Sequence, residues 1–277
     1  MAYTAWIDGN GTLRQRLGEL QSGADNGVWA RMFGGKLGGD EFTNKYKTYQ
    51  LGYDAQAGEW RVGAAYEYSD GSLNYTSGSG ENKIGAISLY GTLQGKDNSA
   101  LDIVVKRGRI YGDMDIYGKY SDQGDYSTDA TSIGVEYSKR FDGGNNVYFE
   151  PQAQLTFGRI DGYDYVSAKG IRVAYDDINS LIGRLGIVGG KAFSRGDVYV
   201  KASLLHEFSG DSSVTMLAAN GESYMEDQDY GDTWLEVGIG GNITLGKNCE
   251  LYGEVERSFG GDVTKNWGAN VGFRYSF

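Results

Sequence analysis

Apolar and polar residues alternate one for one along most of this chain. That is the spacing of strands with one apolar and one polar face. Near the C-terminal end, Trp267, Ala269, Val271, Phe273, Tyr275 and Phe277 share one face, and Gly268, Asn270, Gly272, Arg274 and Ser276 the other. Trp60, Val62, Ala64, Tyr66 and Tyr68 oppose Arg61, Gly63, Ala65 and Glu67. Val147, Phe149, Pro151, Ala153, Leu155 and Phe157 oppose Glu150, Gln152 and Gln154. Leu235, Val237, Ile239, Ile243 and Leu245 oppose Trp234, Glu236, Asn242 and Thr244. About twelve such segments are expected, an even number as in bacterial membrane barrels. They begin near Val28, Tyr46, Trp60, Lys83, Ala100, Asp129, Val147, Ser180, Val198, Thr233, Cys249 and Trp267.

The connections alternate strictly between two classes. Ala55 to Glu59, Gly95 to Ser99, Asp142 to Asn146, Ser194 to Asp197 and Gly246 to Asn248 read as short turns, rich in residues that reach turn geometries cheaply. Leu37 to Lys45, Asp70 to Asn82, Gly112 to Thr128, Asp161 to Asn179, Ser209 to Asp232 and Gly260 to Asn266 read as long loops. The pattern predicts an all-β fold, a transmembrane antiparallel up-and-down β-barrel with short turns at one end and long loops at the other. A soluble β-sandwich is the rival, but it has no reason to segregate its loops.

One stretch has a helical period. Leu13, Leu17 and Leu20 fall on one stripe, Arg14, Gln15, Arg16 and Glu19 cover the rest, and Thr12 is a candidate N-cap. A helix over residues 12–23 is too short to stand alone in water. A barrel of this size has a lumen wide enough to host it. Inside, Arg14 and Arg16 would meet wall acids, with Glu67, Asp102, Glu136, Glu150, Glu236, Glu254 and Glu256 as candidates. Arg184, Lys201 and Arg274 are the candidate wall bases. A helix on the surface, in the periplasm or on the membrane is the alternative.

Composition sharpens this picture. Of 277 residues, 45 are Gly, one is Pro and 22 are Tyr. Scarce proline excludes collagen and proline-rich disorder, and the aromatics exclude a disordered acidic chain. Trp60, Tyr148, Trp267, Tyr275 and Phe277 are candidates for interfacial girdles. The net charge of -11, with no basic stripe, argues against nucleic acid as a partner. A lone cysteine, Cys249, excludes a disulfide scaffold and reads as a small hydrophobe. The longest apolar run is Met216 to Ala219, far short of a spanning helix. The mean hydropathy of -0.46 cancels the two faces of each strand and says nothing against a barrel.

The helix, its short breaker and Gly27-Val-Trp-Ala-Arg-Met-Phe-Gly-Gly35 resemble the translocator β-barrel domain of type Va autotransporters. So do Tyr148-Phe-Glu-Pro-Gln-Ala-Gln-Leu155, Ser180-Leu-Ile-Gly-Arg-Leu-Gly186, His206-Glu-Phe-Ser-Gly210 and Trp234-Leu-Glu-Val-Gly-Ile-Gly240. The ending Val271, Phe273, Tyr275 and Phe277 resembles the C-terminal signal read by the barrel-assembly machinery. The resemblance implies type V protein secretion across the outer membrane of Gram-negative bacteria. A covalently linked N-terminal passenger would be exported by its own folding outside, the helix remaining as plug and tether. It implies contact with outer-membrane lipid and lipopolysaccharide, a monomeric barrel, extracellular long loops and a periplasmic C-terminus. Residues 1–11 would be a remnant of the passenger linker, 12–23 the lumen helix with Leu13, Arg14, Arg16, Leu17 and Leu20, and 24–277 the barrel. No signal peptide or passenger is recognisable, so the chain is expected to be a piece of a longer protein. Some members cut their helix at an Asn-Asn pair. Gly11-Thr12 stands there, so cleavage is not expected.

No catalytic, cofactor or metal site is expected. His206, the single histidine, alternates with Val198, Val200, Ala202 and Leu204 and so faces outward, away from any Ser or Asp partner in the lumen. Asp113, Asp115, Asp122, Asp125 and Asp129, and Glu222, Glu226, Asp227, Asp229 and Asp232, cluster in two loops without calcium-loop spacing. The glycine runs at Gly34 and Gly238 sit in strands and cradle no phosphate. A general outer-membrane channel or adhesin barrel is the alternative function, and an outer-membrane hydrolase a weaker one.

Overall fold

The structure is a computed structural model that describes Tyr3, Trp6, Ile7, Gly9, Gly11, Thr12, Gln15 and residues 26–39, 42–119 and 121–277. The strands are β1 Asn26–Gly38, β2 Phe42–Ala57, β3 Trp60–Tyr75, β4 Gly78–Gln94, β5 Ser99–Ile116, β6 Asp122–Lys139, β7 Phe141–Asp142, β8 Val147–Ile160, β9 Tyr163–Val166, β10 Arg172–Tyr175, β11 Ile178–Phe193, β12 Gly196–Glu207, β13 Ser212–Leu217, β14 Ser223–Gln228, β15 Asp232–Leu245, β16 Cys249–Phe259 and β17 Thr264–Ser276. Twelve of them close an antiparallel barrel: β1–β6, β8, β11, β12 and β15–β17, with β1 paired to β17. Closure leaves no open edge in the ring, the condition for a sheet to stand in lipid.

The two faces are inverted relative to a soluble protein. Outward positions carry exposed apolar residues, among them Leu51, Tyr66, Ile87, Leu89, Leu155, Leu185 and Val200. Inward positions carry buried polar and charged ones, among them Asp54, Glu67, Asp102, Lys106, Glu136, Arg184 and Arg274. The apolar belt stops at outward cations near the long-loop end, where Arg107 and Arg109 reach Asp129 and Arg159 reaches Asp161 and Asp177. Among the described residues no helix is long and apolar enough to cross a membrane.

The structure redraws the long loops. Asp70 to Asn82 is mostly paired strand, because β3 and β4 stay in register from Trp60↔Leu93 to Tyr75↔Gly78. Gly112 to Thr128 is likewise mostly paired, from β5 into β6. The two longest excursions fold together as a separate sheet in the order β14-β13-β10-β9. Beyond the apolar belt the outward face turns polar, so the apolar-polar period disappears while the hydrogen-bonded ladder continues. Tyr126, Tyr163 and Tyr175 stack at the root of this sheet, with centroids 4.4 Å and 4.8 Å apart. Burial there pushes the Tyr126 phenol up to about 12.

Tyr148 is not in a girdle. It is inward and buried, under the Arg140 guanidinium, and donates to Asp197. Its even parity puts it beside Glu150, on the face opposite Phe149. Trp267, Tyr275 and Phe277 are exposed on the outer face. Much of the glycine lies under aromatic rings on the lumen wall. A Cβ at Gly63 would meet Tyr90 at 2.4 Å, and one at Gly272 would meet Tyr252 at 2.1 Å.

Candidate functional site

The lumen is lined by matched charges. Alternation along each strand sends these side chains inward, and pairing brings them together across strands. Asp54 of β2 accepts two hydrogen bonds from Arg274 of β17, at 2.7 Å and 2.6 Å, one from Arg61 at 2.9 Å and one from the Tyr90 hydroxyl at 3.1 Å. Tyr90 in turn accepts from the Trp29 indole at 2.7 Å. Arg274 reaches Asp54 across β1, over Gly27, whose missing Cβ would sit 2.7 Å from the guanidinium. Only glycine leaves room for that crossing.

Other wall charges pair as well. Lys201 meets Glu254 at 2.5 Å and Glu256 at 2.7 Å, and Lys265 meets Glu256 at 2.5 Å and Glu236 at 3.6 Å. Arg184 meets Glu136 at 3.2 Å and donates to Gln154 and Gln152 at 2.7 Å and 2.9 Å. Glu67 meets Lys106 at 3.7 Å. Asp102 accepts from Thr92 at 2.6 Å, and Glu150 from Gln152 at 2.8 Å. Beside Arg184, Lys201 and Arg274 the wall supplies further bases: Arg61 and Lys106, which the inward parity of their strands marks, and Lys265, which shares the parity of outward Trp267 and turns inward only because a bulge shifts the register between Lys265 and Trp267.

Leu13, Arg14, Arg16, Leu17 and Leu20 lie outside the described residues. Of their neighbours, Thr12 and Gln15 bond reciprocally: the Gln15 amide donates to the Thr12 hydroxyl at 3.3 Å, and the Thr12 amide to the Gln15 side chain at 3.0 Å. That is a capping box, the signature of a helix start. The same Gln15 side chain donates to Glu254 and Glu256 at 2.7 Å and 2.8 Å. A cavity of about 170 Å³ remains between this segment and the wall, lined in part by Arg31, Phe33 and Trp234.

Described residues of the 1–11 stretch also lie inside. Tyr3 and Trp6 are buried near the long-loop end, and Gln154 donates to the Gly11 carbonyl at 3.4 Å. The missed signal is an apolar stripe at Tyr3, Trp6 and Ile7, at helical spacing.

Among the described residues the remaining candidates have only local partners. His206 is outward, with Nδ1 2.7 Å from the Thr233 hydroxyl and its ring edge-on to Phe208. Cys249 is free and partly exposed. The loop acids serve local geometry: Asp122 accepts from the Gln123 and Lys169 amides, and Asp232 from those of Thr233 and Asp262. Among the described residues no group of three or more His, Cys, Asp or Glu is placed to hold a metal.

Residues 28–256 match the model of the family described as the autotransporter beta-domain. The chain is 30% identical over 295 residues to the pertactin autotransporter of Bordetella parapertussis, covering 100% of this chain and 32% of that protein. The chain thus spans about a third of that relative's length. The crystal structure of the beta domain of the Bordetella autotransporter BrkA matches with a TM-score of 0.72 at 25% identity, over 91% of this chain and 100% of that one. The translocator domain of the autotransporter NalP from Neisseria meningitidis matches with a TM-score of 0.78 at 14% identity, over 100% and 97%, and shares the fold.

Proposed function

The chain belongs to the autotransporter beta-domain family, and on that premise we propose that it carries an N-terminally attached passenger to the bacterial surface and anchors it there. The barrel sits in the outer membrane with the β9–β10–β13–β14 sheet outside and the C-terminal end of β17 in the periplasm. The observation that supports this most directly is the path of the N-terminal segment. Tyr3 is at the long-loop end, Gln15 at mid-lumen, and β1 starts at the short-turn end. A chain attached before Tyr3 therefore emerges on the long-loop side.

The finer parts of the reading follow from the same geometry. The helix over residues 12–23, begun by the Thr12–Gln15 box, lies in the lumen beside the remaining cavity and tethers the passenger. Glu254 and Glu256 hold it through Gln15 and stay paired with Lys201 and Lys265, so the wall keeps its charge balance when the segment is absent. The wall residues Glu67, Asp102, Glu136, Glu150, Arg184, Glu236 and Arg274 hold strand register around a wet lumen. Val271, Phe273, Tyr275 and Phe277 form the outward face read by the barrel-assembly machinery. Lipid and lipopolysaccharide cover the outer belt of a monomeric barrel, and the chain itself performs no chemistry.

The test is surface display. A reporter with a secretory signal, fused ahead of residue 1, should become sensitive to protease added outside intact Gram-negative cells. A reporter that stays in the periplasm behind a folded barrel would overturn the proposal.

A further inference from the structure

The lumen wall is polar or charged at most levels but not near its long-loop mouth. There five strands in a row turn an aliphatic side chain inward: Ile84 on β4, Ile110 on β5, Ala130 on β6, Ile160 on β8 and Ile178 on β11. The register sets them side by side, with Ile84↔Ile110, Ala130↔Ile160 and Ile160↔Ile178 paired directly. An apolar collar facing a water-filled lumen is unfavourable until something apolar covers it. Trp6 covers it, fully buried against these residues.

The collar is flanked by two polar fixtures. Glu207 of β12 is held by the Ser180 hydroxyl and by the Leu181 and Ser209 amides at 2.7 Å and 3.1 Å, and it also accepts from the Tyr3 hydroxyl. The Tyr3 ring stacks on Tyr230, with centroids 4.6 Å apart. On the other side, the Lys106 ammonium lies 4.1 Å from the centroid of the Trp6 ring and 3.4 Å from the Trp6 carbonyl. Such a cation over an indole face is attractive. Tyr3, Trp6 and Ile7 have helical backbones, so positions three and four apart meet the wall together.

We propose that this collar, with Glu207 and Lys106, is a binding site for a helical aromatic pair spaced as Tyr3 and Trp6, and that its occupation seals the outer mouth independently of the helix below. The inference rests on the export reading and deepens it: the last residues of the segment to pass the mouth are the ones that close it. Hydrophobic constrictions control permeation by excluding water, and a collar filled by indole is dry. Among the described residues the indole N–H has no hydrogen-bond partner, so the site recognises a ring and not a donor.

The test is conductance of the full-length chain in planar bilayers, with folding read separately by heat-modifiable gel migration. Tyr3→Ala/Trp6→Ala should raise conductance several-fold. Trp6→Phe should stay at the parental level. Ile110→Asn should raise conductance from the wall side with the segment unchanged. Parental conductance in both the double variant and Ile110→Asn would overturn the seal, and a Trp6→Phe barrel that leaks would overturn recognition of the ring. Reporter display is measured in parallel: its loss in the unaltered chain counts against the export reading, and leakage counts only on the seal.

Discussion

Replacing Asp54 with alanine should be the most damaging single substitution in the barrel wall. Asp54 is fully buried, and its side chain takes four hydrogen bonds from Arg61, Arg274 and Tyr90. Removal leaves two guanidinium groups facing each other, with side-chain exposures of 9% and 4%. Breaking a buried pair by deleting one partner costs about 3–5 kcal/mol, because a charge is left uncompensated. At about 1.4 kcal/mol per factor of ten, the folded-to-unfolded ratio should fall by on the order of 10²–10⁴. Asp54→Asn keeps one acceptor and should lose less, about 1.5–3 kcal/mol as for a hydrogen bond to a charged group. Arg274→Ala leaves Asp54 on Arg61 and should cost less than Asp54→Ala. The assay is chemical unfolding of the refolded barrel in lipid vesicles, with hydrogen exchange to locate the damage. Since Arg274 spans β1 to reach β2, exchange should quicken along the β1–β17 seam before β5 and β6. Loss of under about 1 kcal/mol for Asp54→Ala, the size of a minor surface effect, would refute the reasoning.

Arg184→Ala should lower the temperature at which the folded barrel converts to its denatured gel form, since Glu136 then loses the guanidinium 3.2 Å from it in the buried wall; an unchanged temperature counts against that pairing. His206→Ala should leave reporter display at the parental level, and its loss would reveal a role for the outer face near β12. Deleting residues 1–23 should open the lumen to ions, and a barrel of unchanged conductance would mean that another element closes it. The Tyr126 phenol titrates from 10.0 in the unfolded chain to about 12 in the fold. Its contribution to stability is therefore complete below pH 10 and is lost as the pH rises toward 12; ultraviolet absorbance should show late-ionising tyrosines, one fewer of them in Tyr126→Phe.

The strands of the barrel were legible wherever one face touches lipid, because only there does alternation separate apolar from polar residues. Val198, Val200, Ala202 and Leu204 declare their face in this way. Beyond the apolar belt, Ser72, Asn74, Ser79 and Glu81 pair as strand while the outward face turns polar, so they read as loop. Parity alone assigned Glu67, Glu136, Glu254 and Arg274 to the lumen. Their partners depend on register between strands far apart in sequence, which one chain does not display. Tyr3 and Trp6 were missed because an apolar stripe of five residues is too short to stand out. Ile84, Ile110 and Ile160 were missed because each, taken alone, is only an isoleucine out of phase with its strand.

Most strands of this ring meet a neighbour only a hairpin away. The closing contact does not: Asp54 and Arg274 stand 220 residues apart. The entropy of joining chain ends grows only slowly with the length enclosed, but it must be met before the clasp returns anything. The search for the final pairing is thereby concentrated in one late event, while the hairpins assemble early and locally. Long-range contacts of this kind slow folding far more than they weaken the folded state. A barrel built this way should be slow to shut and, once shut, slow to come apart.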